Sequence, residues 1–157
     1  MKLLVDTSVW SLALRRKDAA TSLSTEEQKL KAELVQAIHD GRVAMLGLIR
    51  QELLSGIKEK AQFDKVKAAL DPYLDEPINT ADHEYAARIY NECRVQGVEA
   101  GTVDILICAL AVRRDWEVLS GDGGLNRCLA VAKKFDEKQK RTAAMEEAKS
   151  RRTLRKS

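Results

Sequence analysis

Four carboxylates, Asp6, Glu52, Asp104 and Asp122, stand where an apolar run ends or a helix opens, in the segments VDTSVW, IRQELLSG, TVDILICALA and VLSGDGG. Like charges share a site only when something positive sits among them, because an unpartnered buried carboxylate is costly or takes up a proton. A divalent cation is therefore the first chemistry these residues suggest, and phosphodiester hydrolysis the second. An all-oxygen donor set favours Mg²⁺ or Mn²⁺ over zinc. His39 and His83 lie outside the four segments and read as surface or helix residues. Glu52 and Asp104 are equal candidates for the carboxylate that orients the attacking water or accepts its proton.

Each acid also has a plain local role. Asp6 suits the N-cap of a helix opening at Thr7, and Asp104 suits the positive end of the helix that follows Thr102. Glu52 reads as a first-turn acid and Asp122 as a turn residue between glycines. The hydroxyls of Thr7, Ser8 and Ser120 neighbour these acids; they are candidates to orient metal or phosphate, with local capping as the ordinary alternative. Local structure explains the acids one at a time, but it does not ask for four of them on one edge of a fold.

To meet, they need a scaffold, and 157 residues suffice for one domain with a core. Hydrophobic residues make up 45% and aromatic residues only 4%, so that core must be mainly Leu, Val, Ile and Ala. No apolar stretch approaches a membrane span, and MKLLVD reaches an acid too soon for a secretory leader. Cys93, Cys108 and Cys128 are odd in number and lack CxxC spacing, which suits reduced core thiols in a cytoplasmic protein rather than a zinc site. Residues 136–157 hold eight Lys or Arg against four Asp or Glu, a net of +4 that leaves −1 of the overall +3 for residues 1–135. The body is thus no bulk polyanion binder. A polyanion would have to meet Arg15, Arg16 and Lys17, or Arg113 and Arg114, or the tail.

Along the chain, residues 2–6 read as a strand buried on both faces, and 7–16 as a helix. Residues 17–24 read as a loop. Ser24 with Glu27, or Thr25 with Gln28, fits a capping box opening a helix whose stripe is Leu30, Leu34, Val35 and Ile38, stopped at Gly41. Residues 43–48 suggest a second strand, 58–70 a helix closed by Asp71-Pro72, and 74–78 an edge strand in which Pro77 excludes a central position. Thr80 is the expected cap of a helix over 81–96 that buries Tyr85, Ala86, Ile89, Tyr90 and Cys93. Residues 102–114 form a deeply packed helix, 117–120 a strand, and 121–124 a turn. Residues 125–135 read as a short helix, with 129–132 as an alternative last strand. The result is an α/β domain over 1–135 with four or five mostly parallel strands, followed by a charged tail at 136–157, helical or disordered. In such sheets ligands gather beyond the carboxyl ends of the strands, where Asp6 and Asp122 fall.

The four segments, in this order and spacing, resemble the PIN-domain ribonucleases, most closely the VapC-type toxins of toxin–antitoxin pairs, over residues 2–132. That resemblance implies a three-layer α/β/α sandwich and an acidic pocket in which Asp6, Glu52, Asp104 and Asp122 hold Mg²⁺ or Mn²⁺ and hydrolyse RNA. Ser8 and Ser120 match its accompanying hydroxyl positions. It further implies a homodimer, a small cognate antitoxin, and transfer or ribosomal RNA as substrate. Gly124 and Leu125 stand where the family often carries a further acid and Phe, so a fifth metal-associated acid is not expected.

Two rivals have different chemistry. A Mg²⁺-dependent phosphatase of the haloacid dehalogenase type also starts with a strand ending in Asp, but it needs an acid two residues on, where this chain has Ser8. A PIN-like scaffold that binds RNA or protein without cutting has no need to keep all four acids.

Overall fold

The computed structural model describes residues 1–14 and 23–156. The basic residues Arg15, Arg16 and Lys17 and most of the expected 17–24 loop lie outside the described residues. Strand β1 (Leu3–Val5) is buried along its whole length, as its aliphatic run predicts. It lies at the centre of a parallel sheet of order β2-β1-β3, between β2 (Val43–Ala44) and β3 (Glu117–Leu119). Leu3 and Leu4 align with Val43 and Ala44 on one side, and Leu3, Leu4 and Val5 with Glu117, Val118 and Leu119 on the other. The chain therefore leaves β1 towards one edge and later returns on the other. At such a switch in strand order the connections diverge and leave a crevice beyond the strand ends.

Helices cover this small sheet in two packed groups. Helix α1 (Thr7–Leu14) packs on α2 (Thr25–His39) and α3 (Gly47–Leu54), and α3 packs on α4 (Lys60–Leu70). Helices α5 (Thr80–Val95), α6 (Thr102–Arg114) and α7 (Gly123–Lys156) pack on one another. Helix α6 buries every residue from Ile105 to Ala111, which accounts for the lack of a polar stripe in its sequence. Cys93, Cys108 and Cys128 are buried thiols where these three helices meet, with the Cys93 and Cys128 sulfurs 3.6 Å apart.

Several expectations need correction. Among the described residues the sheet has three strands, not four or five. The apolar run 43–48 is a strand only over Val43–Ala44; it then passes through buried Met45 and Leu46 into the first residues of α3, because a continuous apolar run serves either element. The expected edge strand over 74–78 is a single parallel bridge from Met45 to Asp75. Glu76 N–H donates to the Met45 carbonyl at 2.8 Å, and Pro77, which lacks an N–H, ends the ladder. Residues 129–132 are helical, with Leu125, Cys128, Leu129 and Ala132 buried at helical spacing within α7.

The capping box at Ser24 and Glu27 is present, with reciprocal bonds of 3.1 and 3.2 Å, and Thr25 is simply the first helical residue. Helix α2 buries Leu34 and Ala37, whereas Val35 and Ile38 are exposed. The cap of α5 is Asn79, paired with Asp82, rather than Thr80. Helix α7 runs unbroken into the charged tail. Tyr85 donates to Asp136 at 2.7 Å and its ring meets Phe135 edge-on, so packing reaches that point; every residue from Glu137 to Lys156 is exposed. Among the described residues no helix is long and apolar enough to cross a membrane.

Candidate active site

The acids are graded in depth. Asp6 is 5% exposed and forms the floor, Asp104 is half-buried, and Glu52 and Asp122 are exposed at the rim. The backbone of Asp6 continues the sheet through its N–H to the Leu119 carbonyl at 2.9 Å, and its carbonyl opens α1 by accepting from Val9 and Trp10. Its carboxylate, by contrast, is held by hydroxyls: Ser8 Oγ and Ser120 Oγ each donate to Oδ2 at 2.8 Å, and Thr7 Oγ1 lies 3.2 Å from Oδ1. The backbone of Asp6 thus starts α1, while its carboxylate is held by the three hydroxyls.

The same hydroxyls join the acids to one another. Thr7 Oγ1 also lies 3.2 Å from Glu52 Oε2, so one hydroxyl proton serves two carboxylates. Ser120 Oγ accepts from the Asp122 N–H at 3.0 Å while donating to Asp6. Ser8 Oγ accepts from the Gly121 N–H at 3.2 Å, tying α1 to the turn after β3. Ser120 keeps a local bond, to the Asp122 N–H two residues on, and adds the bridge to Asp6; Thr7 and Ser8 donate to carboxylates. Asp122 does keep its local role, because its Oδ1 accepts from the Leu125 N–H at 3.1 Å at the start of α7.

Asp104 feels the whole group. Burial, then the charges of Asp6, Asp122 and Glu52 in that order, push its carboxyl up to about 6, against the opposing influence of the Gly101 amide. Among the described residues none of the four acids forms an ion pair. Among the described residues this is a concentration of negative charge with no direct ion-pair partner, although the Arg127 guanidinium lies close to Gly123 and Gly124 in the same turn.

Among the described residues no three His, Cys, Asp or Glu side chains already form a group that could hold a metal ion. An enclosed cage of the zinc or calcium kind is therefore not preformed. The donor chemistry does fit Mg²⁺ or Mn²⁺, which take oxygen ligands, use one or two carboxylates and keep several waters.

Sequence reasoning missed three supports. Asn126 donates its side-chain amide to the Ser120 carbonyl at 3.1 Å, fixing the β3–α7 turn; its position four residues after Asp122 was the available signal. Gly124 allows a close approach, since a Cβ there would lie 3.1 Å from Asp122 Oδ1 and 3.7 Å from the Glu99 carbonyl. Asp82, three residues after the unexpected Asn79 cap, binds Arg113 at 3.0 Å and Arg114 at 2.8 Å. The Arg113–Arg114 pair, expected as a polyanion cluster, is therefore committed to a structural ion pair between α5 and α6.

A family model described as PIN domain matches residues 3–145 of this chain. No curated protein matches it.

Proposed function

We propose, given that the chain belongs to the PIN domain family, that it is a metal-dependent endoribonuclease and the toxin half of a type II toxin–antitoxin pair. PIN domains are generally nucleases and generally use divalent metals. The observation that carries the proposal is the convergence of four acids: the hydroxyls of Thr7, Ser8 and Ser120 join Asp6 to Glu52 and to the Asp122 N–H, and Asp104 lies within reach of the charges of all three. These four acids would hold Mg²⁺ or Mn²⁺. When bound, the ion supplies neutralisation of the phosphodiester and an attacking water of lowered pKa.

The chain's own residues supply position and proton transfer. Asp6, locked by its hydroxyl donors, is the fixed anchor of the site. Glu52, exposed at the rim beside the Thr7 hydroxyl, is free to take the proton of the attacking water. Water oxygen bonds to phosphorus as the bond to the 3′ oxygen breaks, giving 5′-phosphate and 3′-hydroxyl ends. The toxin role, a cytoplasmic homodimer and a small antitoxin partner follow from the likeness of the four segments to VapC-type toxins.

Incubation of the protein with single-stranded RNA and Mg²⁺ or Mn²⁺ tests this. Internal cuts bearing 5′-phosphates, abolished by a chelator, are expected. Intact RNA beside rapid hydrolysis of a small phosphate monoester would favour a phosphatase, and no hydrolysis of either would favour a binding scaffold.

A further inference from the structure

Beside the acidic site the chain forms a cavity of about 500 Å³, within the range of small-ligand sites, walled by Tyr90, Cys93, Arg94, Val98, Glu99 and Ile105. The last turns of helix α5 form one of its sides. Gly97 turns the chain at φ +70, and the Val98 N–H donates back to the Cys93 carbonyl at 2.8 Å. The strap 99–101 then leads directly into the first turn of α6, which carries Asp104. The strap also touches the turn that carries Asp122, since a Cβ on Gly124 would meet both the Glu99 carbonyl and Asp122 Oδ1. Cavity and acids thus share one wall, and Ile105 in the cavity is the residue after Asp104.

We infer that this cavity is a nucleobase subsite, which holds an unpaired base of the RNA strand next to the phosphodiester that is cut. Its lining has the chemistry that recognises a base. Tyr90 is 43% exposed, although its place in the α5 stripe predicts burial, so its ring is not consumed by the core. The Arg94 guanidinium lies 5.9 Å from the Tyr90 ring centroid and donates to the Tyr90 hydroxyl at 3.3 Å. Single-stranded RNA is bound in this way, with bases stacked on aromatic rings and guanidinium planes and their edges met by polar groups. Buried Cys93 and Ile105 provide an apolar floor. An aromatic–guanidinium pair also suits protein interfaces, and what favours a base here is the cavity's place one strap away from the acids, where an RNA strand held for cutting must pass.

The subsite presupposes the nuclease activity proposed above, and its test separates the two. Binding of a single-stranded RNA oligonucleotide is measured by fluorescence anisotropy in EDTA, and hydrolysis of bis-p-nitrophenyl phosphate with Mn²⁺ is measured in parallel. Tyr90→Ala is expected to weaken RNA binding by about 5- to 150-fold, the scale of one lost stacking contact, with Tyr90→Phe retaining it. Hydrolysis of the small diester, which has no flanking base, should be unchanged in Tyr90→Ala. RNA binding that is equal in parent and Tyr90→Ala, or absent from the parent, overturns the subsite. Failure of the parent to hydrolyse the diester counts instead against the nuclease proposal and leaves the binding comparison to decide the subsite.

Discussion

Replacing Asp104 with Asn is expected to slow RNA cleavage by at least about 10- to 100-fold, the scale of a perturbed metal site, while stabilising the metal-free fold near neutral pH. Both effects follow from one arrangement. Asp104 is half-buried and faces the charges of Asp6, Asp122 and Glu52, which push its carboxyl up to about 6. An unfolded Asp titrates near ~4. Between these values the folded protein keeps the proton and the unfolded chain has lost it, so this group's effect on stability worsens as pH rises from about 4 to about 6. Above that window the penalty is complete and persists until a cation balances the charge. Melting curves in the presence of a chelator should therefore show the parent losing ground to Asp104→Asn across this window. Parallel pH profiles, or cleavage by the variant at the parent rate, would contradict the assignment.

Asp82→Ala is expected to destabilise the protein by about 3 kcal/mol, which for a chain of this size lowers the melting temperature by about 6–12 °C. Asp82 is 2% exposed and accepts from Arg113 Nε at 3.0 Å, Arg114 Nη2 at 2.8 Å and the Asn79 N–H at 3.0 Å. Burial alone would raise its pKa, but the Asn79 amide and then Arg114 and Arg113 outweigh it and hold the carboxyl below the usual value. A depressed value means this stabilisation is present above about pH 4 and is lost as pH falls through the folded pKa. The expected cost sits at the low end for breaking a buried pair because both guanidinium groups keep contact with water. Arg113 also stacks on Tyr85 at 5.5 Å and Arg114 on Trp116 at 5.1 Å, so neither is cast loose. RNA cleavage measured well below the transition should be unchanged. An unaltered melting temperature would show that the pair contributes little.

These two residues mark the limits of what the sequence disclosed. The strand ending at Asp6, the Ser24–Glu27 cap, the Gly41 stop and the buried helix Thr102–Arg114 were legible because each rests on local periodicity or capping chemistry. The four acids are proposed as a set on sequence grounds, since their positions at strand and helix ends point to one edge of a parallel sheet. What joins them was not legible. Thr7 and Ser8 reach Asp6 from one and two residues away, but only the three-dimensional pairing of β1 with β3 makes Ser120 a donor to Asp6. Asp82 gave no more than a helix-start signal, because its partners lie 31 and 32 residues away. The apolar run at 43–48 misled, and that at 129–132 left a strand open beside the helix that forms, for another reason: with no polar interruption, a strand and a buried helix read alike.

The central claim is that four distant acids act as one cation site, and calorimetric titration of Mn²⁺ into the metal-free protein tests it most directly. Parent protein should bind Mn²⁺, and Asp6→Asn, which keeps its shape but removes the charge at the floor, should bind it at least about tenfold more weakly. Equal affinity in parent and Asp6→Asn would contradict it.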